Sequence, residues 1–269
     1  MSNHTHIDRR RLLALLAASA GAAGSVAAGG TLPGRSASAM PGSGGKTRHP
    51  SVVVELFTSQ GCSACPPADA LLGELVRQPD ILGIGYNIDY WDYLGWRDTL
   101  ARAEFTRRQR MYAKARGDDK VYTPQMVING RWHVVGNDRR RVRAMIERAR
   151  RDGGCQQVAM TLRRKEKALM VDIAAAPEML KQGGTAPEAT LWLVTMRDAV
   201  PVKIRRGENR GRQITYHHVA RSIVPAAMWH GAEQHLTLPL AEVMRGKADA
   251  CAALLQLGSH GPVIAAAIM

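Results

Sequence analysis

Aromatic residues are scarce in this chain: they make up 5% of its 269 residues, and phenylalanine occurs only twice. Leu, Val, Ala and Met must therefore fill the core, and 45% hydrophobic residues suffice for one large domain or two ordinary ones. The net charge is +14, but the arginines are spread over the whole chain without the interleaved aromatics on which bases stack. We therefore predict no nucleic-acid partner.

Long hydrophobic runs are missing as well. The stretch 14–28 is short, weakly apolar and rich in Gly and Ala, and it follows the arginines and leucines of 9–13. This combination is typical of the twin-arginine export signal of bacteria. We interpret residues 1–39 as a signal segment and predict a periplasmic or secreted protein with no stable membrane anchor after cleavage. A retained membrane anchor is the alternative.

Cysteine is also rare, with four residues in the chain. In an oxidising compartment four cysteines can form two disulfides. Cys62 and Cys65 are a local pair, which leaves Cys155 and Cys251 as candidates for a long-range structural disulfide. Spacing alone does not fix the connectivity.

The pattern after the signal predicts three further regions. Residues 40–50 are rich in Gly, Ser and Pro, which predicts a flexible linker. Residues 51–153 alternate apolar runs with amphipathic stretches in the order β-α-β-α-β-β-α, which predicts an α/β domain with a mixed sheet. Residues 154–269 contain short strand candidates separated by turn signals and predict a C-terminal β-sandwich.

The C-x-x-C motif Cys62-Ser63-Ala64-Cys65 follows the first predicted strand and precedes a predicted helix. Backbone N–H groups and the dipole at a helix start favour a thiolate, so Cys62 is a candidate nucleophile that faces solvent and Cys65 a candidate resolving cysteine. A structural disulfide is one alternative, although so short a loop constrains the unfolded chain little. A zinc site is the other, and no second C-x-x-C or H-x-x-H lies nearby.

Glu55 interrupts the first apolar run, seven positions before Cys62. A buried carboxylate beneath the dithiol could accept the proton of Cys65. A paired glutamate with no catalytic part is an equal alternative.

An aromatic segment follows the second predicted strand. The carboxyl ends of parallel strands meet at one edge of a sheet, which predicts that these aromatics lie near Cys62 as substrate contacts. Packing in a core poor in Phe is the alternative. The residues are Tyr90, Trp91, Tyr93 and Trp96.

A polar stretch of the C-terminal half contains four arginines between 205 and 212 and the pair His217-His218. A solvated hairpin is one interpretation of these charges, and a basic recognition surface is the other. We predict neither a metal nor a cofactor from the sequence.

Two features resemble the thioredoxin fold: the C-x-x-C after the first strand, and Thr123-Pro124 before the third. The resemblance implies that Pro124 is cis, against a plain trans loop proline, and that the Thr123 backbone pairs with an incoming peptide. The chain also resembles a secreted bacterial family called domain of unknown function 1223, which implies a thioredoxin-like domain with an appended C-terminal β-sandwich. The motifs that carry this resemblance are ELFTSQGCSACPPAD, DYWDYLGWRDTLA, VYTPQMVING and GENRGRQITYHH.

These features lead to three functional hypotheses. The first is an exported thiol–disulfide oxidoreductase that uses Cys62 and Cys65 on a protein or small-molecule client, with a redox partner that the sequence does not identify. The second is a non-catalytic binding module with a vestigial or switching dithiol. The third is a Cu(I)-handling protein in which a histidine such as His133 joins the two cysteines.

Overall fold

The computed structural model describes residues 47–246 and 248–269, so the predicted signal segment and most of the predicted linker lie outside the described residues. The last residues of that linker are paired, because Arg48 forms a β-bridge with Ile268. The first half of the described chain has the predicted order of strands and helices. Its elements are β1 (Val52–Thr58), α1 (Pro66–Leu75), β2 (Ile81–Asn87), α2 (Ala103–Arg116), β3 (Gln125–Ile128), β4 (Trp132–Val135) and α3 (Arg139–Arg151).

The second half consists mainly of strands, as its turn signals predicted. Two of these strands are long and form a hairpin. The elements are β5 (Met160–Lys165), β6 (Ala168–Ile173), β7 (Ala189–Lys203), β8 (Gln213–Trp229), β9 (Gln234–Pro239), the short helix α4 (Leu240–Val243), β10 (Ala250–Leu257) and β11 (Val263–Ile268).

Eight of the strands form one mixed sheet in the order β11-β10-β7-β8-β2-β1-β3-β4. Strands β1 and β2 are parallel, whereas β3 is antiparallel to both β1 and β4. The remaining three strands form a second sheet in the order β5-β6-β9. The protein therefore has a mixed α/β fold with an extensive sheet.

The arrangement of the C-terminal strands differs from the predicted appended sandwich. Four of them, β7, β8, β10 and β11, extend the sheet of the first half, so the predicted boundary between 153 and 154 does not separate two sets of sheets. The junction is β2 with β8, where Gly85 pairs with Val219. A side chain at Gly85 would place its Cβ 3.1 Å from the His217 carbonyl oxygen, so glycine permits this close approach.

Strand β1 is buried on both faces because helices cover each side of it. Its even-numbered residues Val52, Val54 and Leu56 pack with α1 and α3 in one apolar cluster. Its odd-numbered residues Val53 and Phe57 pack with α2 and the C-terminal strands in another. This alternation decides which buried groups are near one another.

Glu55 belongs to the odd-numbered face of β1 and lies in a buried ion pair. Its carboxylate accepts a hydrogen bond from the Arg108 Nε at 2.7 Å and a short one from the Tyr112 hydroxyl. Gln256 of β10 joins this network by donating from its Nε2 to the Tyr112 hydroxyl at 2.9 Å. The network therefore connects β1, α2 and β10 inside the core.

The variant Arg108→Met leaves the Glu55 carboxylate buried without a cation. We expect it to lower the free energy of unfolding by about 3–5 kcal/mol, measured by urea denaturation. Adding Glu55→Leu to this variant should restore part of the loss, since no buried charge then remains.

The matched control is Arg197→Met in the half-exposed pair Arg197–Asp249. Exposed pairs contribute little, so the expected loss is below about 1 kcal/mol. A similar loss in Arg108→Met and Arg197→Met would contradict this account of the core.

Candidate functional site

The cysteines of the C-x-x-C lie at the start of α1. Their sulfurs are at disulfide-bonding distance, and their Cα atoms are 5.4 Å apart. Cys65 is the N-cap residue of α1, and Pro66 and Pro67 occupy the first turn. Because these prolines have no N–H, the donors near the dithiol are the backbone N–H groups of the motif itself.

Cys62 is buried, which differs from the expected solvent-facing nucleophile. Its exposed fraction is 3%, and that of Cys65 is 0%. The loop before it is also covered: a Cβ on Gly61 would lie 3.2 Å from the Trp91 Cβ. Neighbouring loops enclose the helix start, and sequence periodicity contains no information about them.

The peptide bond between Thr123 and Pro124 is cis, as the resemblance implied. Pro124 is buried and Thr123 is half-buried. The Thr123 hydroxyl accepts a hydrogen bond from the Trp91 indole N–H at 2.7 Å. The structure therefore joins the segment before β3 to the aromatic segment.

The aromatic segment lies beside the C-x-x-C, at the predicted edge of the sheet. Trp91 contacts Gly61 as described, and the Trp96 indole donates to the Gln60 side chain at 2.8 Å. Tyr93 is 77% exposed and stacks on Trp91, with ring centroids 6.4 Å apart. Tyr90 is half-buried and packs against the core. The segment thus has both packed members and one exposed ring.

Gln60 is the centre of a buried polar network just before the dithiol. Its backbone N–H donates to the Asp98 carboxylate at 2.8 Å, and its side chain binds Thr99. Asp98 also accepts hydrogen bonds from Asn87 and from the backbone of Leu100. Burial raises the pKa of Asp98, against the lowering effect of these hydrogen bonds. The network fixes the position of the chain that enters the C-x-x-C.

The tip of the β7–β8 hairpin, residues 204–212, contacts the C-x-x-C from the C-terminal half. Asn209 is fully buried, and its Nδ2 donates to the Gln60 carbonyl at 3.0 Å and the Cys62 carbonyl at 2.8 Å. The Glu208 carboxylate accepts from the Ser63 N–H at 3.1 Å. We call this segment the β7–β8 tip.

Asp69 is a buried carboxyl in the first turn of α1, four residues after Cys65. Residues four apart lie on the same side of a helix, and both side chains are buried. The Oδ2 of Asp69 has no hydrogen-bond partner among the described residues. Burial raises the pKa of Asp69 well above its usual range, and the nearby Asp98 carboxylate raises it further, while the Thr58 hydroxyl lowers it.

Glu55 does not lie beneath the dithiol on the side of α1. It is on the opposite face of β1, where Arg108 and Tyr112 hold its carboxylate. This arrangement corresponds to the paired-glutamate alternative. The sequence did not reveal the partner because Arg108 lies on a helix 53 residues away.

The predicted structural disulfide between Cys155 and Cys251 is wrong, since both are free and buried. They belong to different apolar clusters: Cys155 packs with the odd-numbered face of β1, and Cys251 packs with the three-stranded sheet. The Cys155 thiol donates to the Pro50 carbonyl at 3.2 Å. Burial raises the pKa of each thiol to about 12.

The two histidines and the arginines of the GENRGRQITYHH motif differ in their environment. The arginines of the β7–β8 tip, 205, 206, 210 and 212, are exposed. By contrast, the His217 ring packs against Gly73 of α1, and the His218 Nδ1 lies 2.8 Å from the Gly83 carbonyl oxygen. Burial lowers the pKa of both histidines. The motif therefore attaches β8 to α1 and β2.

Within residues 47–246 and 248–269, no three His, Cys, Asp or Glu side chains form a group able to hold a metal ion. His133, the third ligand of the Cu(I) hypothesis, instead lies 3.1 Å from an Asp118 oxygen and 2.9 Å from the Tyr122 hydroxyl. Over the same residues, none of the helices has the length and apolar character needed to cross a membrane.

Sequence reasoning missed five polar residues of this site: Gln60, Asp69, Asp98, Glu208 and Asn209. All five lie inside the motifs that carried the family resemblance. The sequence therefore did contain a signal for these residues. Polar residues in family motifs that lie far apart in the chain are candidates for one shared site.

The geometry defines an α/β protein with a C-x-x-C pair enclosed by loops from both halves of the described chain. Residues 53–256 match the model of a family described as protein of unknown function (DUF1223), and the chain belongs to this family. No curated protein matches the chain.

Two solved structures are similar to it. One is the crystal structure of a structural-genomics target from Agrobacterium tumefaciens, with 33% identity, a TM-score of 0.71 and coverage of 82% of this chain and 94% of that chain. The other is the protein HBP35 of Porphyromonas gingivalis, with 11% identity, a TM-score of 0.58 and coverage of 82% and 75%, respectively. The second likeness concerns the fold alone.

The state of the four cysteines is directly testable by alkylation and mass spectrometry. The folded oxidised protein should react hardly at all, because Cys155 and Cys251 are buried with raised pKa values. Unfolding without reductant should expose these two thiols, and reduction should then expose Cys62 and Cys65. Absence of free thiols in the unfolded, unreduced chain would refute the assignment.

Asp69→Asn tests the buried carboxyl through the pH dependence of stability. In the unfolded chain Asp69 ionises near pH ~4, whereas the folded protein retains the proton to higher pH. The wild type therefore loses stability as the pH rises above about 4, and the variant lacks this loss. Its free energy of unfolding should gain on that of the wild type as the pH rises above about 4.

The matched control is Asp172→Asn. Hydrogen bonds from His235 and Arg163 lower the pKa of Asp172 to about 2, so this group is ionised in both states above about pH 5. A gain at neutral pH in the control equal to that of Asp69→Asn would contradict the assignment.

Proposed function

We propose that this protein is an exported thiol–disulfide oxidoreductase with a thioredoxin-like fold. The observation that carries the proposal is the C-x-x-C at disulfide-bonding distance at the start of α1, together with the cis bond before Pro124. The strand order β2-β1-β3-β4, with β1 and β2 parallel and the other pairings antiparallel, supports the thioredoxin-like assignment.

The proposed reaction is exchange between this pair and a client disulfide. The Cys62 thiolate attacks one client sulfur, the other client sulfur leaves as a thiolate, and a mixed disulfide forms. Cys65 loses its proton and attacks the Cys62 sulfur, and the second client thiolate leaves. The client gains two electrons and the pair becomes a disulfide; oxidation of a client dithiol is the reverse.

Asp69 is better placed than Glu55 to accept the proton of Cys65. It lies one helical turn from Cys65 on the same side of α1, and it is buried with one oxygen unpartnered. Glu55 is held by Arg108 on the other face of β1. A carboxyl with a raised pKa has proton affinity closer to that of a thiol, which favours transfer between them.

Client binding is proposed along Thr123 and the aromatic segment. The backbone N–H and carbonyl of Thr123 take no part in the backbone hydrogen bonds of residues 47–246 and 248–269, so they are available to pair with an extended peptide. The exposed ring of Tyr93 supplies apolar contact area nearby. A protein or small-molecule thiol fits this surface.

The proposed location is the bacterial periplasm or the extracellular medium. The twin-arginine-type start of the chain supports export, and an oxidising compartment suits a dithiol that cycles through a disulfide. The electron donor or acceptor is then a second exported redox protein or a small thiol.

The burial of Cys62 favours a second candidate function, the non-catalytic binding module. A cysteine that is 3% exposed is poorly accessible to a client. In that case the aromatic segment and the basic tip recognise a partner, and the disulfide serves only to hold the loop.

The decisive experiment measures exchange with glutathione and with a model peptide disulfide. Cys62→Ser should abolish exchange, whereas Cys65→Ser should accumulate a mixed disulfide on Cys62, visible as an added mass of one client. With Cys65 present, Asp69→Asn should slow resolution of the mixed disulfide by roughly a hundredfold, the lower end of the range for a lost general base.

Cys251→Ala is the matched control, since it removes a buried cysteine away from the site, and it should exchange like the wild type. Wild-type exchange no faster than that of the Cys62→Ser,Cys65→Ser double variant would refute the proposed activity. Equal recovery of a partner with and without the cysteines would then support the binding module.

A further inference from the structure

The β7–β8 tip is the part of the C-terminal half that bonds directly to the C-x-x-C. Two hydrogen bonds run from the Asn209 side chain to the Gln60 and Cys62 carbonyls. A third runs from the Ser63 N–H to the Glu208 carboxylate. Together they connect this tip to the chain on both sides of Cys62.

The tip also contacts the aromatic segment. A Cβ on Gly207 would lie 3.2 Å from the Trp96 Cβ and 3.5 Å from the Leu94 carbonyl oxygen. Trp96 is in turn bonded to Gln60. The tip and the aromatic segment therefore meet over the loop that carries Cys62.

The tip itself is a tightly turned structure. The Ile204 N–H donates to the Arg212 carbonyl, and the Gly211 N–H donates back to the Ile204 carbonyl, both at 2.9 Å. The tip is thus held together by its own backbone hydrogen bonds, and it is bonded to the loop that carries Cys62 by two hydrogen bonds from Asn209 and one to Glu208. Polar contacts of this kind exchange for water at small cost, unlike a packed apolar face.

In disulfide exchange a client sulfur must reach the Cys62 sulfur. Cys62 is 3% exposed, which does not allow this approach. We propose that the β7–β8 tip is a size-selective gate over the dithiol, with Asn209 as the residue that holds it closed. This inference rests on the proposed exchange function. It assigns the site to low-molecular-weight thiols and disulfides, and to sulfurs presented on thin extended segments.

The test compares two reagents with the same reactive group and different sizes. The full chain is reduced, and alkylation of Cys62 is followed by peptide mass spectrometry with N-ethylmaleimide and with a maleimide on a long poly(ethylene glycol) chain. The measured quantity is the rate with the small reagent divided by the rate with the large one. In the wild type this ratio should be at least tenfold higher on Cys62 than on a free thiol. Asn209→Ala should reduce that excess at least threefold.

Asn137→Ala is the matched control. The Asn137 side chain also donates to a carbonyl of the C-x-x-C, that of Ala64, but from the other side of the loop at 3.3 Å. The ratio of alkylation rates with the small and the large maleimide should be the same in Asn137→Ala as in the wild type. Glu208→Ala is the second gate variant, because this exposed side chain can be removed with little risk to folding.

A lower size ratio in either gate variant, with the control unchanged, supports the gate. An unchanged ratio in both gate variants, an equal fall in the control, or a wild type without size selection overturns it. The readout is independent of exchange with a client. Loss of exchange with intact size selection therefore refutes the proposed function, whereas exchange without size selection refutes the gate.

Discussion

The attachment of β8 to β2 determines how the rest of the site is assembled. The register is fixed at Gly85, which faces the His217 carbonyl oxygen so closely that a side chain would be crowded. The His218 ring reaches the Gly83 carbonyl, and the His217 ring fills the space beside Gly73. The β7–β8 tip, which precedes β8, reaches the helix start, where the Asn209 side chain donates to the Cys62 carbonyl.

The polar groups brought there are buried, so each of them requires a partner. Gln60 satisfies its backbone through Asp98 and Asn209, and its side chain through Trp96 and Thr99. These partners come from two segments far apart in the sequence. The conformation of the chain before Cys62 is therefore a property of the complete fold and not of the C-x-x-C motif alone.

Local patterns predicted the elements well because helices and strands have short periods. The elements of residues 51–153 follow the predicted order β-α-β-α-β-β-α, and at the start of α3 the Asp138 carboxylate accepts from the Arg141 N–H. Long-range pairing could not be predicted in this way. The alternation of β10 turns Cys251 away from the cluster that contains Cys155, and only the strand order reveals this.

The same difference between local patterns and long-range pairing explains which features of the site were predicted and which were not. The aromatic segment was correctly placed near the dithiol, since the edge of a parallel pair follows from the order of elements alone. Glu55 was predicted to lie beneath the dithiol because it is close to Cys62 in the sequence. It lies instead on the other face of β1, where it pairs with Arg108.

The electrostatics at Cys62 are likewise set by distant residues. The helix start favours a thiolate, but Pro66 and Pro67 offer no N–H and Glu208 already occupies that of Ser63. A carboxylate at that position disfavours a neighbouring thiolate, which shifts the proposed exchange equilibrium toward the disulfide form of the pair.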